Sequence, residues 1–184
     1  MSPRLVAIDV DGTLARSDGT IASRTIGALE RARSAGVIVV IATGRPWIVA
    51  NRTAQEVGHV DHLVCSNGAV VASWPDGEFE RDIYLDDGDG APLVEPLVHL
   101  LRDAVPGIGI AFEFERGAKA EHGFADRLPP GVPMNEPVGD ILALLPRRVR
   151  KMMAWHDEYD DRLHHLGAMM QTAVEDRAVI GTSG

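Results

Sequence analysis

Asp9 and Asp11 stand one residue apart, directly after the apolar run Leu5-Val6-Ala7-Ile8. Two carboxylates at that spacing repel each other at close range, so a cation or a proton must stabilise the pair. Mg²⁺ is the cation that fits, because it takes oxygen ligands and works alongside substrate phosphates. A calcium loop is the competing reading, since Asp9-Val10-Asp11-Gly12 opens like an EF-hand. That loop needs glycine at its sixth position, where this chain has Leu14. Gly12 and Thr13 let backbone N–H groups approach an anion. Thr43 offers a hydroxyl and an N–H just before a predicted helix, whose N-terminus favours negative charge. Together these residues describe a cradle for a phosphoryl group beside a carboxylate nucleophile.

The elements that must position these residues follow from the pattern. Leu5 to Ile8 reads as a buried strand. Ser23 reads as the N-cap of a helix carrying Ile26, Leu29 and Ala32 at helical spacing, with Gly36 as its C′ residue. Val37 to Ala42 is a second strand, β-branched enough for a parallel sheet covered on both faces. A second helix is predicted from about Pro46 to Val57, closed by Gly58, and a third strand over His62 to Cys65. The order strand–helix–strand–helix–strand indicates a parallel α/β sheet. In such a sheet the carboxyl ends of the strands share one edge, where ligands bind. Asp9/Asp11, Thr43/Arg45 and Asn67 should therefore face one crevice.

The rhythm then changes. Val70–Trp74 and Phe79–Ile83 flank a turn and predict a hairpin. Asp86-Asp87-Gly88-Asp89-Gly90 reads as a solvated hinge, cut first in limited proteolysis. A helix is predicted over Leu93–Ala104, and a strand with one solvated face over Ile108–Glu115. Residues 117–139 are rich in Gly and Pro and read as irregular. A strand over Val149–Trp155, a helix over Asp160–Met170 and a short strand over Ala178–Ile180 complete an α+β second half. The expected division is 1–83 and 84–184. There is no internal repeat.

The composition excludes several classes. With Lys+Arg 18 against Asp+Glu 27, the 184-residue chain carries a formal charge of −9, so a nucleic-acid partner is not expected. Val37 to Ala42, the longest apolar run, is too short to span a bilayer, so no membrane partner is expected either. The residues before Asp9 lack the signal-peptide pattern, and one cysteine, Cys65, rules out an intrachain disulfide framework. The expected location is the cytoplasm.

Asp9-Val10-Asp11-Gly12-Thr13-Leu14, Thr43-Gly44-Arg45-Pro46 and Asn67-Gly68-Ala69 resemble, in order and spacing, motifs of the haloacid dehalogenase superfamily, and most closely its Cof-type phosphatase branch. The resemblance implies a Rossmann-like core with a large α/β cap inserted after the third strand. It implies that Asp9 attacks phosphorus and that Asp11 is the general acid and base. It also implies that the Asp9 carboxylate and the Asp11 carbonyl ligate Mg²⁺. Thr43 would hold phosphoryl oxygens with nearby backbone N–H groups, including those of Gly12 and Gly44, and Arg45 and Asn67 would shape the phosphate and substrate side. The implied reaction is hydrolysis of a small phosphorylated metabolite. A phosphomutase and a non-catalytic ligand-binding module are the alternatives.

The family's later motifs, a lysine and a further acidic metal ligand, have no match: the lysines are Lys119 and Lys151, both in the expected cap. A chain cut short of those motifs is expected, with an incomplete core and Leu5–Val10 as an apolar edge. Completion by a second copy, as a homodimer, or by strand exchange is the alternative. Plainer readings stand beside the functional ones. Thr43-Gly44-Arg45 also suits a strand-to-helix cap, and Asn67-Gly68 a hairpin turn. His156, His164 and His165 read as surface residues, and Arg147, Arg148 and Arg150 as a solvated face. Cys65 reads as inert core, and Trp47, Trp74 and Trp155 as packing residues, with Trp47 near enough to the crevice to line it.

Overall fold

A computed structural model describes residues 4–85, 92–115, 117–126, 137–145, 148–157, 163–175 and 177–181. The chain divides into two compact units, Met1–Ile83 and Tyr84–Gly184. The predicted hinge at Asp86–Gly90 lies outside the described residues, as do Arg147, the predicted helix start at Asp160, and the side chains of His164 and His165. Among the described residues no helix is long and apolar enough to cross a membrane.

The first unit is a five-stranded sheet in the order β1 (Leu5–Ile8), β2 (Ile38–Ala42), β3 (His62–Cys65), β4 (Val70–Ser73), β5 (Phe79–Asp82). β1, β2 and β3 run parallel, and β4 and β5 continue the sheet antiparallel. Helix α1 (Ser23–Ser34) connects β1 to β2, and α2 (Trp47–Val57) connects β2 to β3. The core gathers Val39 and Ile41 of β2, Leu63 of β3, and Ala50, Ala54 and Val57 of α2. Cys65 is fully buried, and Trp47 packs edge-on against Phe79 with ring centroids 5.0 Å apart. Trp47 is thus a core residue.

Gly36 ends α1 with φ +79, and Val37 and Gly36 donate back to Ala32 and Arg33. That is a Schellman closure, which glycine adopts without steric cost. Two expectations are corrected here. The N-cap of α1 is Ala22, which has no side-chain cap bond, and Ser23 is the first helical residue. The chain leaves its extended conformation one residue earlier than the side-chain chemistry suggests. β1 is not a buried strand: Leu5 is 52% exposed, because among the described residues β1 pairs only with β2 and forms the exposed edge expected of a core lacking further strands. An apolar run cannot reveal whether a second neighbour exists.

The second unit contains a three-stranded antiparallel sheet in the order β7 (Gly117–Ala120), β6 (Gly109–Phe114), β8 (Lys151–Trp155). It also holds helices α3 (Val94–Ala104), α4 (His122–Ala125) and α5 (Leu163–Val174). Leu97, Val98 and Leu101 of α3 join Ile110 and Phe112 of β6 in one core. β6 is buried along its whole length, not solvated on one face. Its charged residue Glu113 is held by buried Arg150, whose Nη1 lies 3.2 Å from Glu113 Oε1 and also donates to the Phe114 and Glu115 carbonyls. Arg150 therefore belongs to the interior and not to a solvated face, whereas Arg148 is exposed and stacks over the Tyr84 ring at 3.9 Å.

Within the stretch expected to be irregular, β7 and α4 are regular. α4 sits directly on β6: a Cβ on Gly109 would lie 2.4 Å from the Phe124 nitrogen. Gly109 thus marks a close backbone approach within its strand. Ala178–Ile180 is not a strand. Gln171 takes its backbone bonds instead, accepting from the Ile180 N–H and donating to the Ala178 carbonyl.

Candidate active site

The loop after β1 winds on the Val10 carbonyl. That oxygen accepts from Leu14 and Ala15 at 3.1 and 2.8 Å, while Leu14 N–H also reaches the Asp9 carbonyl. Val10 is fully buried, so the residues on either side of it, Asp9 and Asp11, are both turned to the exposed side. One apolar anchor thus fixes two carboxylates, which explains the Asp-x-Asp spacing physically. Gly12 supplies the turn at φ +71, where a side chain would be strained.

The loop after β2 is fastened to the end of β3. Thr43 N–H donates to the Val64 carbonyl at 2.8 Å, and Ser66 N–H donates to the Arg45 carbonyl at 2.9 Å. Arg45 N–H donates to Thr43 Oγ1 at 3.2 Å. The Thr43 hydroxyl is buried yet donates to no described residue, so its proton is available to an arriving anion. Gly44 lets the Asn67 side chain lie close against it: a Cβ there would come 2.6 Å from Asn67 Oδ1, so the amide would have to shift. Ser66, Asn67 and Gly68 form a turn at φ +54, +55 and +88, joining antiparallel β3 and β4. The hairpin reading of Asn67-Gly68 is therefore right for the backbone, and the same turn lays the Asn67 side chain on Gly44. Ser66 escaped the sequence reading; its signal is only its place before Asn67, and its left-handed backbone shows only in three dimensions.

Arg45 joins the first and second loops. Its Nε donates to Asp11 Oδ2 at 3.0 Å, and its Nη2 donates to Asp11 Oδ1. The sequence reading assigned this guanidinium to the phosphate side; here it grips the Asp11 carboxylate with two parallel bonds. The Asp9 carboxylate is exposed and makes no hydrogen bond or ion pair with a described residue. The structure thus brings Asp11, Arg45 and Thr43 into one bonded group and Gly44 against Asn67. It leaves Asp9 as an open oxygen donor at the end of β1.

The fit of this site to a divalent cation rests on that open donor. Asp9 offers a hard anionic oxygen beside a second carboxylate, and Mg²⁺ prefers one or two carboxylates with water and phosphate filling its remaining positions. Among the described residues no group of three or more His, Cys, Asp and Glu could hold a metal. The residues present therefore suit a shared, partly hydrated Mg²⁺ and not an all-protein cage.

The model of the haloacid dehalogenase-like hydrolases matches residues 6–99, which include the three loops. A 5-amino-6-(5-phospho-D-ribitylamino)uracil phosphatase of Bacillus subtilis is 35% identical over 89 residues, covering 46% of this chain and 32% of that protein. A phosphoglycolate phosphatase of Archaeoglobus fulgidus is 35% identical over 85 residues, covering 46% of this chain and 35% of its own length. These matches span about a third of each curated relative. The crystal structure of a haloacid dehalogenase-like hydrolase from Bacteroides thetaiotaomicron superposes on the whole of this chain and 68% of its own, with a TM-score of 0.78 at 20% identity. That likeness establishes the fold.

Proposed function

The chain belongs to the haloacid dehalogenase-like hydrolases, and from that premise we propose that it serves hydrolysis of phosphate monoesters of small metabolites, with Asp9 as nucleophile. The observation that carries the proposal is the pairing of an open Asp9 carboxylate with a loop whose Thr43 hydroxyl proton is uncommitted. The phosphatase relatives support it.

In the proposed reaction an Asp9 oxygen attacks phosphorus and the ester P–O bond breaks, leaving an aspartyl-phosphate. Asp11 in its acid form gives its proton to the departing alkoxide. Asp11 then takes a proton from water, whose oxygen attacks the same phosphorus. The Asp9–phosphorus bond breaks, and inorganic phosphate leaves with the Asp9 carboxylate restored. Thr43 and the backbone N–H groups around Gly12 and Gly44 hold the non-bridging oxygens throughout. Mg²⁺, held by the Asp9 carboxylate and the Asp11 carbonyl, would supply positive charge that offsets repulsion between an anionic nucleophile and an anionic substrate.

The test is Mg²⁺-dependent phosphate release from a panel of phosphomonoesters by the wild type and by Asp9→Asn. The variant should lose at least ~10⁴-fold in turnover, as expected for a removed nucleophile. Activity of the variant near that of the wild type would overturn the assignment.

A further inference from the structure

The two bonds from Arg45 to Asp11 pose a difficulty for the reaction just described, and its resolution gives Arg45 a specific part. Asp11 must meet the leaving-group oxygen, yet both of its carboxylate oxygens are occupied by the Arg45 guanidinium. The backbone of Arg45 cannot move aside easily. Its N–H is tied to Thr43 Oγ1 and its carbonyl to Ser66 N–H. The side chain is the free part: it is 33% exposed, and Asp11 is 62% exposed, so the pair can exchange partners without unpacking the core.

A phosphoryl group arriving at Thr43 meets a guanidinium rooted two residues along the same loop. The phosphoryl group carries more negative charge than one carboxylate, and two of its oxygens can accept both N–H bonds of the guanidinium fork. An exposed ion pair holds only weakly, by ~0.2–1 kcal/mol, so the phosphoryl group can displace Asp11.

Resting on the phosphatase reading above, we propose that Arg45 is a positioning residue that exchanges partners: it holds the Asp11 carboxylate in the free protein and passes to the phosphoryl oxygens when substrate binds, releasing Asp11 to face the leaving group. Arg45 thereby couples occupancy of the phosphate cradle to availability of the acid.

The exchange is tested by a double-mutant cycle on the affinity for inorganic phosphate, measured by calorimetry on the full chain. The four proteins are the wild type, Asp11→Asn, Arg45→Gln and the double variant. Both side chains are at least partly exposed, so the variants should fold, and circular dichroism checks this. Asp11→Asn removes the competitor for Arg45 and should tighten phosphate binding. In the Arg45→Gln background the gain should shrink to the residual effect of removing one negative charge. The two gains should differ by about 1.4- to 5-fold, the size of an exposed ion pair. The Arg45 Nε–H resonance should also shift on phosphate addition in the wild type, which a purely structural role would not produce.

Equal gains in both backgrounds, or an Arg45 resonance unmoved at phosphate saturation, would overturn the exchange while leaving the phosphatase reading intact. Absence of phosphate binding in all four proteins would overturn the cradle itself, and the exchange with it.

Discussion

Asp9 and Asp11 stand exposed at the end of β1, while Glu113 and Arg150 are 1% and 2% exposed inside the second unit. Both pairs place charge next to a strand, but the surroundings differ. Asp9 has no protein partner among the described residues, and Asp11 pairs with the partly exposed Arg45. Glu113 is gripped by an arginine that also satisfies two backbone carbonyls. In the first unit the protein leaves anionic oxygens unsatisfied for something else to complete. In the second it completes its own charge and uses the pair to tie the end of β6 to the segment before β8. Charge is therefore a sign of chemistry only where the fold declines to neutralise it.

That contrast can be broken most forcefully at Asp9. Asp9→Asn should cost turnover at least ~10⁴-fold, yet shift stability by no more than ~0.5 kcal/mol, as for an exposed position without partners. Activity assays and urea denaturation on the same preparation measure both. Arg150→Met should behave in the opposite way. Removing one member of a buried pair costs ~3–5 kcal/mol, and adding Glu113→Leu should recover most of it. Urea midpoints for the single and double variants decide the matter; a single variant as stable as the wild type would show that the pair is not a fixed part of the interior.

Gly109→Ala sharpens the comparison within the second unit. Its new methyl would meet the α4 backbone and not a movable side chain, so a loss of ~1–3 kcal/mol is expected from overpacking. The smallest effect belongs to Asp61 in the first unit. Burial pushes its carboxyl up, but the Val39 N–H and Arg33 outweigh this and hold it below its ordinary value. A lowered folded value stabilises the protein above the unfolded value of ~3.9, and that contribution disappears as pH falls through the folded value. Asp61→Asn should therefore be less stable than the wild type at neutral pH, with the gap closing below about pH 4. A gap that stays constant down to pH ~2 would contradict the shift.

The same contrast explains which parts of the molecule can be read from sequence. β2, β3 and α2 were legible because apolar runs or helical spacing end at polar or glycine residues, and each end is a local signal. The three loops were legible for the same reason. The Arg45–Asp11 bond was not, since its partners are 34 residues apart and either side chain could have faced solvent. Arg150 and Glu113 are 37 residues apart, and a charged residue in an alternating strand looks solvated until its partner is placed. β7 and α4 were missed because the Gly and Pro content of 117–139 reads as irregular, whereas Gly123 in that stretch permits close packing on Gly109. Local chemistry is written in neighbouring residues; neutralisation and close approach are written in pairs far apart.

The central claim, that Asp9 carries the phosphoryl group, is tested most directly by trapping that group on the protein. A phosphomonoester labelled in its phosphoryl group is mixed with the chain and Mg²⁺, quenched in acid, and the labelled peptide is identified by mass spectrometry. The account predicts label on the Asp9 side chain in the wild type and none in Asp9→Asn. Label on another residue, or equal labelling of the two proteins, would contradict it.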